Sequence, residues 1–159
     1  MHSGMFPKYN LSDTELNPGE ALTITEILKE AGYETALFGK SAPLTDPLNS
    51  GFDTFIGQID QGKFHNMYPN VIDEGSQEGN YNLSLNWKSK SRKLCMANPS
   101  DYSYTIDVFQ YEALEWIDKY HHESEIRKLR HQNNNPFFMY VSFTIPHAGG
   151  WTDTGEMQG

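Results

Sequence analysis

The sequence has one cysteine, no long apolar run and few basic residues, and each of these shortages excludes a class of protein. A single cysteine among 159 residues rules out an internal disulfide and a zinc site built from several thiolates. The longest apolar run, residues 137–141, is far shorter than the roughly 18 residues of a membrane-spanning helix. Because 12 Lys and Arg face 21 Asp and Glu, the net charge is −9. We therefore expect no transmembrane segment and no nucleic-acid partner, since neutralising phosphates requires a surplus of basic side chains.

Aromatic residues are abundant and favour a folded chain. They make up 13% of the sequence, which is too many for a disordered protein. Apolar periodic segments cluster at residues 20–57 and 101–147, whereas residues 70–100 are mostly Asn, Gly, Ser, Lys and Glu. We expect one domain over residues 1–159 with a polar loop or insertion at about 70–100. The opening residues lack the basic and apolar pattern of a signal peptide, so the sequence assigns no compartment.

Residues 23–40 predict a short amphipathic helix followed at once by a buried strand. Thr23 and Glu26 have the spacing of a capping box, and apolar residues then recur at helical intervals up to a glycine that ends the helix. Residues 33–38 form a short apolar run that suits a strand ending at Lys40. A helix that leads directly into a buried strand indicates an α/β unit.

Three later segments complete the pattern. Residues 51–57 are aromatic-rich and bounded by glycines, which predicts a short strand or a packed loop. Residues 101–120 have the apolar spacing of a second amphipathic helix, and the charged residues 121–135 extend that helix or form a loop. Residues 137–145 are apolar on both faces, as in a central parallel strand between helices.

Two polar residues directly follow predicted strands: Lys40 and His147. In open α/β sheets, groups just beyond the carboxyl ends of the strands face the ligand crevice. Taken alone, they are more simply an exposed lysine and a turn histidine. We likewise interpret Asp53 as a structural residue of its turn. His121 and His122 are adjacent and cannot share a helix face, so we do not expect them to bind a metal ion together.

Three segments resemble the sulfatase family, and they occur in the family's order. Residues 32–40 read G-Y-E-T-A-L-F-G-K and are similar to its G-Y-x-T-x-x-x-G-K signature. Residues 51–57, G-F-D-T-F-I-G, and residues 65–69, H-N-M-Y-P, resemble the arylsulfatase pattern G-F-D-x-F-x-G followed by H-N-Y-Y-P. Residues 136–148 resemble the family's P-F-F strand that ends in T-x-P-H. An ordered triple match is far more specific than any one motif.

The resemblance implies an alkaline-phosphatase-like, three-layer α/β fold with a mostly parallel sheet, present here incompletely. It also implies a sulfuric ester hydrolase that uses a formylglycine and a calcium ion. The formylglycine is made from Cys or Ser in a C/S-x-P-x-R segment, which this chain lacks; Cys95 does not lie in one. We therefore expect an internal piece of a sulfatase domain that is inactive alone. The remainder of the domain would supply the nucleophile and the calcium ligands.

The resemblance assigns roles to three residues. Lys40 would contact the sulfate and leaving-group oxygens, and His147 would contact the sulfate or donate a proton. His65 would line the substrate pocket, although its aromatic surroundings explain it by packing alone. Such groups are required because the reaction moves negative charge onto the leaving oxygen. Ser41 stands where many family members have Trp, which puts the local shape of the pocket in question.

Two rival functions stay open at this point. One is a non-catalytic, sulfatase-like module that binds sulfated glycans through Lys40. The other is a phosphoester hydrolase of the same superfamily, with a Thr or Ser nucleophile and two metal ions. The substrate, an aryl or a glycan sulfate ester, is also open, and the polar residues 70–100 are where we expect the selecting loop. Family members are commonly secreted, periplasmic or lysosomal.

Overall fold

The structure is a computed structural model that describes residues 19, 21–59, 67, 71–76, 81–85 and 104–145, with the backbone alone at 71 and 81–85. In the described residues, two helices accompany a sheet whose strands β1, β2 and β5 are parallel, which confirms the predicted α/β class. In chain order they are α1 (Ile24–Glu30), β1 (Glu34–Lys40), β2 (Thr54–Gln58), β3 (Val71–Ser76), β4 (Tyr81–Leu85), α2 (Thr105–Leu129) and β5 (Phe137–Ser142). Neither α1 nor α2 is both long enough and apolar enough to cross a membrane.

The strands form one sheet in the order β4-β3-β2-β1-β5. β1 lies between two parallel neighbours, β2 and β5, whereas β3 and β4 continue the sheet with antiparallel pairing. Residues 35–39 of β1 are buried throughout, while β5 is half-buried or exposed. The strand predicted over residues 137–145 is therefore parallel as expected. Within the described sheet, however, β1 is the buried middle strand of the parallel trio.

The polar stretch at residues 70–100, for which the sequence predicts a polar loop or insertion, contains two strands, β3 and β4. They pair with each other, and β3 also pairs with β2, so that the hairpin extends the sheet. Residues 86–100 lie outside the described part of the chain. The difference has a simple cause: hairpin pairing is made by backbone groups, which polar side chains at alternate positions do not prevent. One apolar residue of the hairpin, Ile72, is buried in the core.

Helix α1 has the predicted cap but a different orientation. The Glu26 backbone N–H donates to Thr23 Oγ1 at 3.1 Å, and the Thr23 N–H donates to Glu26 Oε2 at 2.7 Å, which completes the capping box. The apolar residue Ile27 is about half exposed, whereas Thr25 is fully buried. The reason is that Thr25 Oγ1 donates a hydrogen bond to the Ser50 carbonyl at 2.6 Å. This bond keeps the face of α1 that carries Thr25 directed toward the protein interior.

Helix α2 packs against the sheet and runs antiparallel to β1. Near the start of the helix, the Phe109 ring lies 3.5 Å from where a Cβ on Gly39 would stand. Near its end, Arg127 Nη1 forms an ion pair of 2.6 Å with Glu34 Oε1, at the first residue of β1. The charged residues after 120 extend the helix, which was one of the two expectations, and an i,i+4 ion pair between Glu123 and Arg127 supports the extension. The amino end of α2 therefore lies toward the carboxyl end of β1.

The core occupies both faces of the sheet. Successive residues of a strand point to opposite faces, so a fully buried β1 requires cover on each side. Helix α2 covers one face, where the buried apolar residues are Ala36, Phe38, Ile72, Val108, Phe109 and Ala113. The segment between β1 and β2 contributes to the other cluster, which consists of Leu37, Leu44, Leu48, Phe52 and Phe55.

Two glutamates on α2 have pKa values displaced in opposite directions. The pKa of Glu112 is raised, chiefly because burial disfavours the carboxylate and also because Glu74 and Glu115 repel it. The pKa of Glu125 is lowered because Lys128 donates a hydrogen bond to it and adds a positive charge. Folding stability should therefore depend on pH with opposite sign at the two positions.

Glu112→Gln should raise the free energy of unfolding at neutral pH. A raised pKa means that Glu112 binds its proton more tightly in the folded chain than in the unfolded chain. At high pH the ionised Glu112 carboxylate therefore lowers the free energy of unfolding. The stability gained from Gln should be complete above the raised pKa of the folded chain. It should vanish once the pH falls below the ordinary pKa of Glu. Glu125→Gln is the matched control: it should lose a little stability at neutral pH, and that loss should vanish in acid. Urea titrations at neutral pH and at about pH 3 measure both. A Glu112→Gln variant that is less stable at neutral pH contradicts the prediction.

Candidate functional site

Strands β1 and β2 end side by side and carry Lys40 and Gln58 at their last paired positions. The parallel register aligns Gly39 with Gly57 and Lys40 with Gln58. Neighbouring strands lie about 4.8 Å apart, so the two residues are immediate neighbours across the sheet. On the other side of β1, Gly39 is aligned with Ser142, the last residue of β5. Three parallel strands thus end at one edge, the position where open α/β sheets bind ligands.

Glycines at both strand ends make this close approach possible. Gly39 has a φ of +109°, in a region that side-chain-bearing residues rarely adopt. A Cβ at Gly39 would collide with the Ser142 carbonyl oxygen, and a Cβ at Gly57 would collide with the Gly39 carbonyl oxygen. The residues just before Lys40 and Gln58 therefore have to be glycine.

The residue after Lys40 ties the two strand ends together. Lys40 is itself half-buried, and Ser41 is fully buried. The Ser41 backbone N–H donates to the Gln58 carbonyl at 3.3 Å. The Ser41 hydroxyl is a donor to two carbonyl oxygens, that of Gln58 at 3.3 Å and that of Leu44 at 3.1 Å. A small hydroxyl side chain fits this buried turn, at the position where the resemblance leads us to expect Trp.

Gln58 is a polar residue of this edge that the sequence analysis missed. It is 1% exposed, and no acceptor in the described part of the chain hydrogen-bonds its Nε2. Thr105, the first residue of α2, is also fully buried, and its Oγ1 has no hydrogen-bond partner among the described residues. The one signal for Gln58 in the sequence is its position directly after the G-F-D-x-F-x-G segment. Its register with Lys40 is a long-range property that the sequence does not reveal.

Asp53 has the structural role that its turn predicts. Its Oδ2 accepts hydrogen bonds from the Thr35 N–H and from Thr35 Oγ1, both at 3.0 Å. Its Oδ1 forms an ion pair of 2.6 Å with Lys29 Nζ. These contacts join α1, the start of β1 and the turn before β2. Asp53 therefore lies at the amino ends of the strands, at the opposite edge of the sheet from Lys40.

A cavity of about 660 Å³ also lies at that opposite edge. Its lining includes Glu34, Trp116 and Arg127, from the start of β1 and the second half of α2. The Arg127 guanidinium is held by Glu34 at 2.6 Å and by Glu123 at 3.2 Å. The ion pairs in this cavity fasten α2 to the sheet, and Lys40, the one predicted site residue that the structure describes, does not line it.

The structure places one of the three predicted site residues. Lys40 ends β1 as expected, whereas His65 and His147 lie outside the described residues, and their roles stay predictions. Over the described ranges, no three His, Cys, Asp or Glu side chains come together as a metal ion requires. The described residues therefore do not fit the calcium ion that the resemblance implies. His121 and His122 are exposed on α2.

Comparison with known families gives a match over nearly the whole chain. Residues 1–155 match the family model described as sulfatase. No curated protein matches the chain in sequence.

Solved structures of sulfatases are similar in fold. PsFucS1 sulfatase from Pseudoalteromonas sp. has a TM-score of 0.52 and 20% identity over 80% of this chain and 27% of its own. BT4656, solved with its substrate D-glucosamine-2-N,6-O-disulfate, has a TM-score of 0.50 and 21% identity over 84% of this chain and 20% of its own. BT33494S-sulf, from Bacteroides thetaiotaomicron, has a TM-score of 0.51 and 15% identity over 97% of this chain and 32% of its own. The chain thus spans between a fifth and a third of these proteins and shares their alkaline-phosphatase-like fold.

Gly57→Ala should destabilise the chain severely. The new Cβ would meet a backbone oxygen that no side-chain rotation can move, so we expect a loss of about 3 kcal/mol or more in the free energy of unfolding. Gly32→Ala is the matched control: Gly32 has a φ of +86° but open space around it. There we expect a loss of about 1 kcal/mol, from backbone strain alone. Denaturant unfolding of both variants measures the difference, and equal losses would contradict the close approach of β1 and β2.

Proposed function

The chain belongs to the sulfatase family, and from this we propose that it is part of a sulfuric ester hydrolase in which Lys40 holds the sulfate group. The observation that carries the proposal is the position of Lys40. It ends the middle strand of the parallel trio, beside two other strand ends, at the edge where this fold class binds ligands.

A lysine suits this task on electrostatic grounds. A sulfate ester carries one negative charge, and cleavage adds negative charge to the leaving oxygen. A fixed ammonium close to both oxygens stabilises the transition state more than the ground state. Lys40 is half-buried, so its charge is less screened than that of an exposed lysine. A compact ammonium can also contact several sulfate oxygens from one position.

His147 is proposed as the second group on the sulfate, or as the proton donor to the leaving oxygen. An imidazole changes protonation near neutral pH and is therefore suited to proton transfer. Support comes from the path of the chain: β5 ends at Ser142, the register partner of Gly39, and His147 follows five positions later. Five residues span at most about 18 Å, which keeps His147 within reach of this edge. His65 is proposed more simply as a residue that lines the substrate pocket.

The nucleophile and the metal ion of the whole enzyme are assigned to other parts of the domain. When present, a formylglycine and a calcium ion would supply the attacking group and further positive charge on the sulfate. The described residues fit neither, and the role that we propose for Lys40 is to bind and orient the ester. We propose that the 159-residue chain alone shows no turnover.

A sulfated glycan is the substrate class that we propose. BT4656 is solved with a sulfated glucosamine, and the likeness in fold favours a similar ester here over an aryl sulfate. A non-catalytic module for sulfated glycans would use the same Lys40 contact. A phosphoester hydrolase would instead favour phosphate, so anion preference separates that rival from the other two.

Lys40→Ala should weaken sulfate binding about tenfold or more, because the variant loses a charged contact to the anion. Lys128→Ala is the matched control: it also removes one positive charge, but at the far end of α2, where Lys128 Nζ pairs with Glu125 at 2.6 Å. Isothermal titration with sodium sulfate at constant ionic strength measures both affinities. Equal affinities in the two variants would contradict the role of Lys40. Tighter binding of phosphate than of sulfate would favour the phosphoester hydrolase.

A further inference from the structure

We propose that the Gln58 carboxamide is a second anion-binding group of this site, which donates an Nε2–H hydrogen bond to the sulfate group held by Lys40. The inference rests on the proposed function and extends it. It adds a neutral, specificity-determining donor on the neighbouring strand, contributed by a residue that none of the three family motifs contains.

The first observation is the state of the amide. Gln58 is 1% exposed, and its Nε2 hydrogen-bonds no acceptor in the part of the chain that the structure describes. A buried amide group without a partner lowers stability appreciably, and buried polar groups in native proteins nearly always have partners. Because bulk water does not reach this amide, its partner has to be a group that is enclosed with it. A bound ligand oxygen is such a group.

The second observation is position. Lys40 and Gln58 are register partners on adjacent parallel strands, at the edge where β1, β2 and β5 end. The register partner of Gln58 is thus the lysine that the family resemblance assigns to the sulfate. An anion close to the Lys40 ammonium is therefore also close to the end of β2.

The third observation is rigidity. The Gln58 carbonyl accepts from both the backbone N–H and Oγ of Ser41, each at 3.3 Å. The preceding residue, Gly57, is packed against the Gly39 carbonyl so closely that no side chain fits. The backbone that carries the amide is thus fixed before any ligand binds. Donors held in place in advance lose little entropy on binding and act most strongly in an enclosed site.

The chemistry of the pair favours a sulfate group. An ammonium and an amide N–H are both donors, and they are spaced across two strands, which suits an anion with several acceptor oxygens. Sulfate at neutral pH has acceptors only, whereas phosphate retains a proton and presents a hydroxyl donor in part of its population. The Lys40 and Gln58 donors therefore match the acceptor oxygens of sulfate, while the neighbouring Asp73 carboxylate is engaged by the Ile59 N–H at 3.0 Å.

The test measures sulfate binding by the full chain at constant ionic strength, with sodium chloride as the reference salt. Gln58→Met keeps the length of the side chain and removes the amide, and Gln110→Met is the control at an exposed glutamine of α2. We expect Gln58→Met to weaken sulfate binding about tenfold. We also expect it to keep or increase the free energy of unfolding, because a buried unpartnered group is gone. Gln110→Met should change neither. A purely structural amide would do the opposite: its loss would lower stability and leave sulfate affinity unchanged.

A second measurement needs no variant that must fold well. In the ¹⁵N-labelled chain, the side-chain amide signal of Gln58 should shift on titration with sulfate and stay in place with chloride. If that signal does not move while Lys40→Ala still loses sulfate binding, the inference about Gln58 is overturned and the proposed function stands. If Lys40→Ala binds sulfate as the unaltered chain does, the proposed function itself fails.

Discussion

The close backbone contact between Gly39 and Gly57 is the constraint on which the candidate site depends. Gly39 has a φ of +109°, and its carbonyl oxygen lies where a side chain at position 57 would stand. Because both positions lack a Cβ, β1 and β2 can stay in parallel register to their last residues. Lys40 and Gln58 are consequently neighbours, and the Ser41 hydrogen bonds to the Gln58 carbonyl hold them in that relation. The site is thus built by backbone packing first and by side chains second.

The two edges of the sheet carry different polar groups. At the amino ends of the strands, Lys29 and Arg127 are engaged with Asp53 and Glu34 at 2.6 Å each, so this edge is largely neutralised within the protein. At the carboxyl ends stand Lys40, two buried polar atoms without described partners and the amino end of α2, whose dipole favours anions. Acidic residues more than about 10 Å from this edge are strongly screened in physiological salt, and the nearby Asp73 carboxylate accepts a hydrogen bond from the Ile59 N–H at 3.0 Å.

Local features of the fold follow from the sequence, and long-range ones do not. The capping box of Thr23 and the strand that ends at Lys40 depend on nearby residues, and both are found as expected. The inward turn of Thr25 is set by a hydrogen bond to Ser50, and the position of Gln58 is set by strand register. Both require contacts between distant parts of the chain. For the same reason the sequence points to Lys40 by motif but gives no sign of the amide beside it.

A crystal structure of the chain with selenate tests the central claim most directly, because selenate is isosteric with sulfate and its selenium is located by anomalous scattering. The account predicts a selenium peak whose oxygens lie about 3 Å from both Lys40 Nζ and Gln58 Nε2, with the His147 ring on the same side of the sheet. A selenium site at the opposite edge near Arg127, or Lys40 and His147 on opposite sides of the molecule, would contradict it.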